Sequence, residues 1–137
     1  MATVQEIKAF MDSAFPNNKL MIESVGNKHA VIRSSVAKSD LRPGNTVSGP
    51  FMMTLVDTAL YVAIHGELGV VALAVTSSIN INFLRKPNGN CDVIAKCNLI
   101  KVGKKLVVGE VYLYSDGEEE PIAHAVGTYS LPGTRPE

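Results

Sequence analysis

The sequence predicts an α+β protein in which one apolar helix lies enclosed beside a long antiparallel sheet. Three observations predict it. Residues from Phe51 to Glu67 read as a helix that is apolar nearly all round, the mark of a helix covered on every side. From Val71 onward the chain alternates as strands, broken by the turn signals Asn88-Gly89-Asn90, Gly103 and Asp116-Gly117. The order of elements is helix, two strands, central helix, then three or four long strands, which suits two packed layers around one core.

The 137 residues make one ordinary domain, here 1–137, with an N-terminal helix within residues 1–16 and a frayed tail at 132–137. Hydrophobic residues are 46% and charged residues 19%, which excludes a disordered chain. Lys+Arg and Asp+Glu both total 13, so the formal charge is zero. That balance argues against nucleic acid as a partner. It also removes colloidal repulsion, so a defined oligomer is the expected way to bury apolar surface.

Each element has a local reason. Val4, Ile7, Phe10, Met11 and Phe15 recur at spacings of three and four, an amphipathic helix that Pro16 stops. Lys19 to Val25 and His29 to Ala37 alternate around Gly26-Asn27 and read as a hairpin. Ser39 to Ser48 reads as a loop; Ser48 suits an N-cap and Pro50 a first helical turn. Gly66 or Gly69 ends the central helix. In the strand from Val71 to Leu84, simple alternation puts Ile79, Ile81 and Phe83 on one face and Thr76, Ser78, Asn80 and Asn82 on the other. Strands Asp92–Val102, Lys105–Ser115 and Pro121–Leu131 complete a meander.

Several classes are excluded early. Cys91 and Cys97, read on one strand, lie roughly 20 Å apart, too far for a disulfide, and no Cys/His spacing suggests zinc. No metal or redox cofactor is expected. The N-terminus carries Glu6 and Asp12 within its apolar pattern and does not read as a signal peptide. The apolar run Phe51–Ile64 is too short to span a membrane and contains Asp57. The expected location is therefore the cytoplasm, away from membranes.

Charge is sparse where chemistry is expected. Among the 44 residues from Leu41 to Leu84, only Arg42, Asp57 and Glu67 are charged. A carboxylate in an apolar helix needs a partner, a pocket or water, because an unpaired one costs several kcal/mol or is neutralised. Asp57 is thus either a functional carboxylate or a structural acceptor, on one stripe with Met53, Tyr61 and His65. Ser48-Gly49 heads the same helix, where free N–H groups form an oxyanion site unless Ser48 serves only as a cap. Asp57 lies roughly 13 Å further along the axis. Two antiparallel copies bring one helix head to the other copy's Asp57; a single helix does not.

Residues 42–61, RPGNTVSGPFMMTLVDTALY, resemble the core of the hotdog-fold acyl-CoA thioesterases, specifically the PaaI-like (phenylacetate-pathway) family. VTSSININFLRKP at 75–87 is similar to the strand that follows the helix in that family, and KVGKKLVVGEVYLYS with AHAVGTYSLP is similar to its closing strands. The resemblance spans about residues 20–132. It implies a curved antiparallel sheet around a long helix, in a homodimer or homotetramer with sites at subunit interfaces. It implies hydrolysis of an acyl-CoA thioester, with Asp57 as general base or nucleophile. Gly49 becomes the backbone N–H that polarises the carbonyl, and Thr76 the hydroxyl that orients water. Ser77 takes that role if the register slips by one.

Ser48-Gly49-Pro50 stands where many members have His-Gly-Gly, and Arg42 where some have Asn. Pro50 has no N–H, which leaves Gly49 as the main donor. Ser48, Arg42 and Tyr61 are further candidates for contact with substrate; Tyr61 serves equally as a core residue. Arg85 and Lys86 either meet coenzyme A phosphates or form a solvated strand end. His65 reads as a dipole-favouring residue near the helix C-terminus, and His29 and His124 have no partner visible in sequence. Three other readings stand beside hydrolysis. A dehydratase needs a His at the helix head, which is absent. A non-catalytic acyl-CoA-binding module, or an oligomer in which Asp57 is a sealed acceptor, needs no such group.

Overall fold

A computed structural model describes residues 1–133. The tail expected at 132–137 falls mostly outside them. Helix α1 spans Val4–Ala14. Thr3 caps it reciprocally: its hydroxyl accepts the Glu6 N–H at 3.1 Å, and Glu6 Oε1 accepts the Thr3 N–H at 2.9 Å. Ile7 and Met11 are its buried face.

Strands β1 (Leu20–Gly26) and β2 (His29–Ser34) form the expected hairpin. Its two-residue turn holds Asn27 and Lys28 at φ 52° and 62°, the left-handed pair that matches the twist of the flanking strands. The segment read as a loop contains a short 3₁₀ turn and a minimal hairpin, β3 (Leu41–Arg42) with β4 (Thr46–Val47).

Helix α2 runs from Gly49 to Leu68. The Ser48 hydroxyl accepts the Phe51 N–H at 3.2 Å, and Gly69 ends the helix at φ +90°. Every residue from Ala59 to Gly66 is buried. The rest of the sheet comprises β5 (Val75–Phe83), β6 (Val93–Val102), β7 (Leu106–Ser115) and β8 (Ala123–Ser130). Six strands pair antiparallel in the order β1-β2-β6-β7-β8-β5 and pack their inner face on α2. This is the hotdog arrangement.

The helix sits close to the sheet at one point for a steric reason. Gly109 and Gly127 are cross-strand partners on β7 and β8, beneath Leu60. A Cβ at either position would come within 2.5 Å of a Leu60 methyl carbon. Two missing side chains thus form the dimple that receives Leu60.

Four expectations need correction. The strand after α2 begins at Val75, because Val71–Ala74 forms a turn closed by Ala74 N–H to Val71 O at 3.0 Å. Strand β6 begins at Val93, so Cys91 lies outside it; both cysteines are free. His65 is fully buried, and burial lowers its pKa to about 4, so it is a neutral ring rather than a charged partner of the helix dipole. His124 has a partner, Glu110, at 2.8 Å, and His29 lies 3.5 Å from the Ser24 hydroxyl.

A fifth correction concerns β5. Thr76 pairs with Tyr129 and Ser78 with Thr128, so Ser77 is an extra residue in the ladder, a β-bulge. The bulge breaks the alternation. Thr76 turns inward beside Ile79 and Ile81, while Ser78, Asn80 and Asn82 face outward with His124. Thr76 therefore does not share a face with the two asparagines.

Candidate active site

Asp57 lies on the third turn of α2, half-buried, where the helix crosses the β5–β8 pair. Thr76 and Tyr129 stand opposite one another on those strands and reach the same carboxylate oxygen. The Thr76 hydroxyl donates to Asp57 Oδ1 at 2.5 Å. The Tyr129 hydroxyl donates to Oδ1 at 2.8 Å and approaches the Asp57 main-chain oxygen at 3.1 Å. Oδ2 accepts no hydrogen bond among the described residues. The carboxylate is therefore held by one oxygen and open at the other.

A groove of about 860 Å³ is lined in part by Asp57, which is therefore not sealed. Its apolar wall includes Phe15, Phe51, Leu55, Tyr61, Val75 and Tyr129. Tyr61 is both a core residue and part of the groove wall. Its ring stacks on Tyr129, with centroids 6.0 Å apart, and its hydroxyl donates to the Ala72 carbonyl at 2.9 Å, yet it lines the groove. Burial raises the pKa of both tyrosines, that of Tyr129 far above the ordinary tyrosine range, so both are neutral donors. At the groove mouth the Lys19 ammonium pairs with Asp40 at 2.5 Å and lies 5.4 Å from the centre of the Phe51 ring.

The remaining candidates are divided. Ser48 lines the groove as well as capping α2. Gly49 does not line it; its N–H, in the first turn, makes no hydrogen bond among the described residues, and a Cβ on it would touch the Phe83 ring at 3.6 Å. Ser77, the extra residue of the bulge, shares a hydrogen bond with the Ser130 hydroxyl and is not among the residues that line the groove. Arg42, Arg85 and Lys86 stand outside the groove. Arg42 is exposed on β3, Arg85 pairs with Glu120 at 3.1 Å, and the Lys86 ammonium approaches Gly44. Among the described residues, no three His, Cys, Asp or Glu side chains converge to hold a metal ion, and no helix is long and apolar enough to cross a membrane.

Tyr129 escaped the sequence reading. The available signal was the inward row Ala123, Ala125, Gly127, Tyr129 and Leu131 on and just past β8. One large polar-tipped ring among small residues needs a partner for its hydroxyl.

The thioesterase superfamily model matches residues 44–122, more than half of the chain. No curated protein matches the sequence. Among solved structures, a provisionally assigned thioesterase from Silicibacter is 36% identical, with a TM-score of 0.87 over 95% of this chain and 92% of that one. The Escherichia coli PaaI protein of the phenylacetic acid degradation operon is 22% identical, with a TM-score of 0.80 over 95% and 91%. A thioesterase-like protein from Streptococcus pneumoniae, solved with coenzyme A, is 22% identical, with a TM-score of 0.73 over 89% and 94%. The last two share the fold. The match of the superfamily model and the Silicibacter relative, on a helix enclosed by a six-stranded antiparallel sheet, make this chain a member of the thioesterase superfamily with the hotdog fold of the PaaI proteins.

Proposed function

We propose that the protein hydrolyses an acyl-CoA-type thioester to the free acid and coenzyme A. The observation that carries this reading is the Asp57 carboxylate in the lining of an apolar groove, restrained through Oδ1 and with Oδ2 unbonded among the described residues. Asp57 acts as a general base on water or as the nucleophile itself. As base, Oδ2 takes a proton while the water oxygen bonds to the carbonyl carbon. The carbonyl pair moves to oxygen, then returns as the C–S bond breaks and the thiolate leaves with the proton. As nucleophile, Oδ2 forms the new bond to carbon, thiolate leaves, and water opens the resulting anhydride.

The direction of the Thr76 bond supports a water-orienting role. Its proton is committed to Asp57, so its oxygen is left to accept a hydrogen bond from water.

The oxyanion donor in this reading is the Gly49 N–H of a second copy, since the eight residues to Asp57 rise about 12 Å along one helix. A homodimer or homotetramer is supported by the free outer edge of β5 and by exposed Leu73, Val75, Phe83 and Leu84 around it. Arg42, Arg85 and Lys86 are the proposed contacts for coenzyme A phosphates. The coenzyme A held by the Streptococcus pneumoniae protein is consistent with that ligand class.

The test is thiol release from short-chain, long-chain and aryl acyl-CoAs by wild type and Asp57→Asn. Turnover of at least one class, lost in the variant, is expected. Tight acyl-CoA binding with no thiol release by wild type would instead make this a binding module.

A further inference from the structure

We propose that Tyr129 is a positioning residue for hydrolysis: with Thr76 it immobilises Asp57 through Oδ1 and so assigns the reaction to Oδ2. The inference rests on the hydrolytic reading above and deepens it. A carboxylate on a helix has a nearly free terminal torsion, broad and roughly two-fold, so either oxygen can face a ligand. Here both donors select one oxygen. The Tyr129 hydroxyl is anchored on a ring that is 4% exposed and stacked on Tyr61. Thr76 is opposite Tyr129 in the β5–β8 ladder only because Ser77 bulges out. The two donors thus approach from adjacent strands of a rigid sheet, and the carboxylate that they hold belongs to the helix crossing that sheet. Tyr129 also spans to the Asp57 main-chain oxygen at 3.1 Å, which fixes the phenol relative to the helix as well as to the side chain.

The charge state suits the role. Tyr129 remains a protonated donor across the working pH range because its hydroxyl is buried. It does not compete with Asp57 for a proton; it only orients. The apolar groove wall is contributed by other side chains as well, so substrate binding does not depend on the Tyr129 hydroxyl. Its removal should therefore appear in turnover rather than in KM.

The experiment compares Tyr129→Phe and Asp57→Asn with wild type on the preferred acyl-CoA, alongside thermal unfolding, with kinetics recorded well below the melting temperature. Tyr129→Phe is expected to lower kcat roughly 10- to 100-fold with KM within about twofold, the size of one lost hydrogen bond to a charged group. Wild-type kcat in Tyr129→Phe with Asp57→Asn inactive would overturn the positioning role and leave the hydrolytic reading standing. A large fall in melting temperature with kcat and KM changed together would also overturn it, making the phenol a structural strut. Wild-type turnover in Asp57→Asn would remove the hydrolytic reading itself.

Discussion

His65 Nδ1 accepts the backbone N–H of Val71 at 3.1 Å, tying the buried end of α2 to the turn that leads into β5. Nδ1 must be unprotonated to accept, so the proton sits on Nε2. That atom is buried and has no partner among the described residues. The ring is packed edge-on against Phe10 and close to Tyr61, with centroids 5.4 Å and 4.2 Å away.

This arrangement predicts an acid-sensitive fold. The folded pKa of His65 is depressed to about 4, against an ordinary value of 6.5. Between those values the unfolded chain binds a proton that the folded chain refuses. Stability is thus unaffected above pH 6.5 and falls as pH drops toward 4, by on the order of 2–3 kcal/mol. Urea unfolding at pH 7.5, 5.5 and 4.5 measures it. His65→Asn keeps an acceptor for Val71 without a titrating ring. It should be less stable at pH 7.5 yet lose less on acidification; an unchanged acid slope would place the proton uptake elsewhere.

Leu60 and the glycine dimple should be energetically coupled. Gly127→Ala places a methyl against a buried Leu60 and is expected to cost about 1–3 kcal/mol through overpacking. Leu60→Ala removes a buried side chain, which costs about 2–5 kcal/mol. The double variant should cost clearly less than the two together, because the new methyl occupies part of the vacated space. Strict additivity in denaturant midpoints would show that the two sites do not share that volume.

Gly49→Pro tests the proposed oxyanion donor. Pro is tolerated in a first helical turn, and Ser48, at φ −71° and ψ 152°, already has the extended backbone required before Pro. The substitution removes one N–H and places a second proline directly before Pro50, so thermal unfolding is recorded alongside the kinetics. Thermal stability within a few degrees of wild type is expected, with kcat reduced about 10²- to 10³-fold. Full turnover in this variant would assign carbonyl polarisation to another group.

Ser48→Ala tests the cap separately. Loss of the 3.2 Å bond to the Phe51 N–H should lower stability by about 0.5–2 kcal/mol, and Ser48→Gly should cost only a few tenths. Chemical denaturation of the two variants side by side reads the difference. Equal losses would mean that the hydroxyl does not cap α2.

The enclosed helix and the meander were legible because they depend on local patterns: the apolar run from Phe51, and alternation interrupted by turn residues. Asp57 was legible as a lone carboxylate among apolar neighbours. Its partners were less so. The resemblance selects Thr76, but simple alternation places it on the outward face, since alternation cannot register a bulge that exists only relative to β8. Tyr129 lies 72 residues from Asp57 in sequence, and only the sheet order brings them together. His65 reads as a partner of the helix dipole because its position near a helix end is local, whereas its burial by Phe10 and the Val71 turn is tertiary.

The bulge at Ser77 has the form of an insertion that the strand has absorbed. Cross-strand partners share a face, so Thr76, opposite buried Tyr129, faces inward, and Ser78, opposite Thr128, faces outward. A frame-preserving loss of the Ser77 codon would join Thr76 directly to Ser78, and simple alternation would then leave Thr76 opposite Tyr129, with its hydroxyl still toward Asp57. One codon of β5 is thus expendable to the site. The bulge is not expendable while the strand keeps its full length, since pairing without it would carry Thr76 to the outer face.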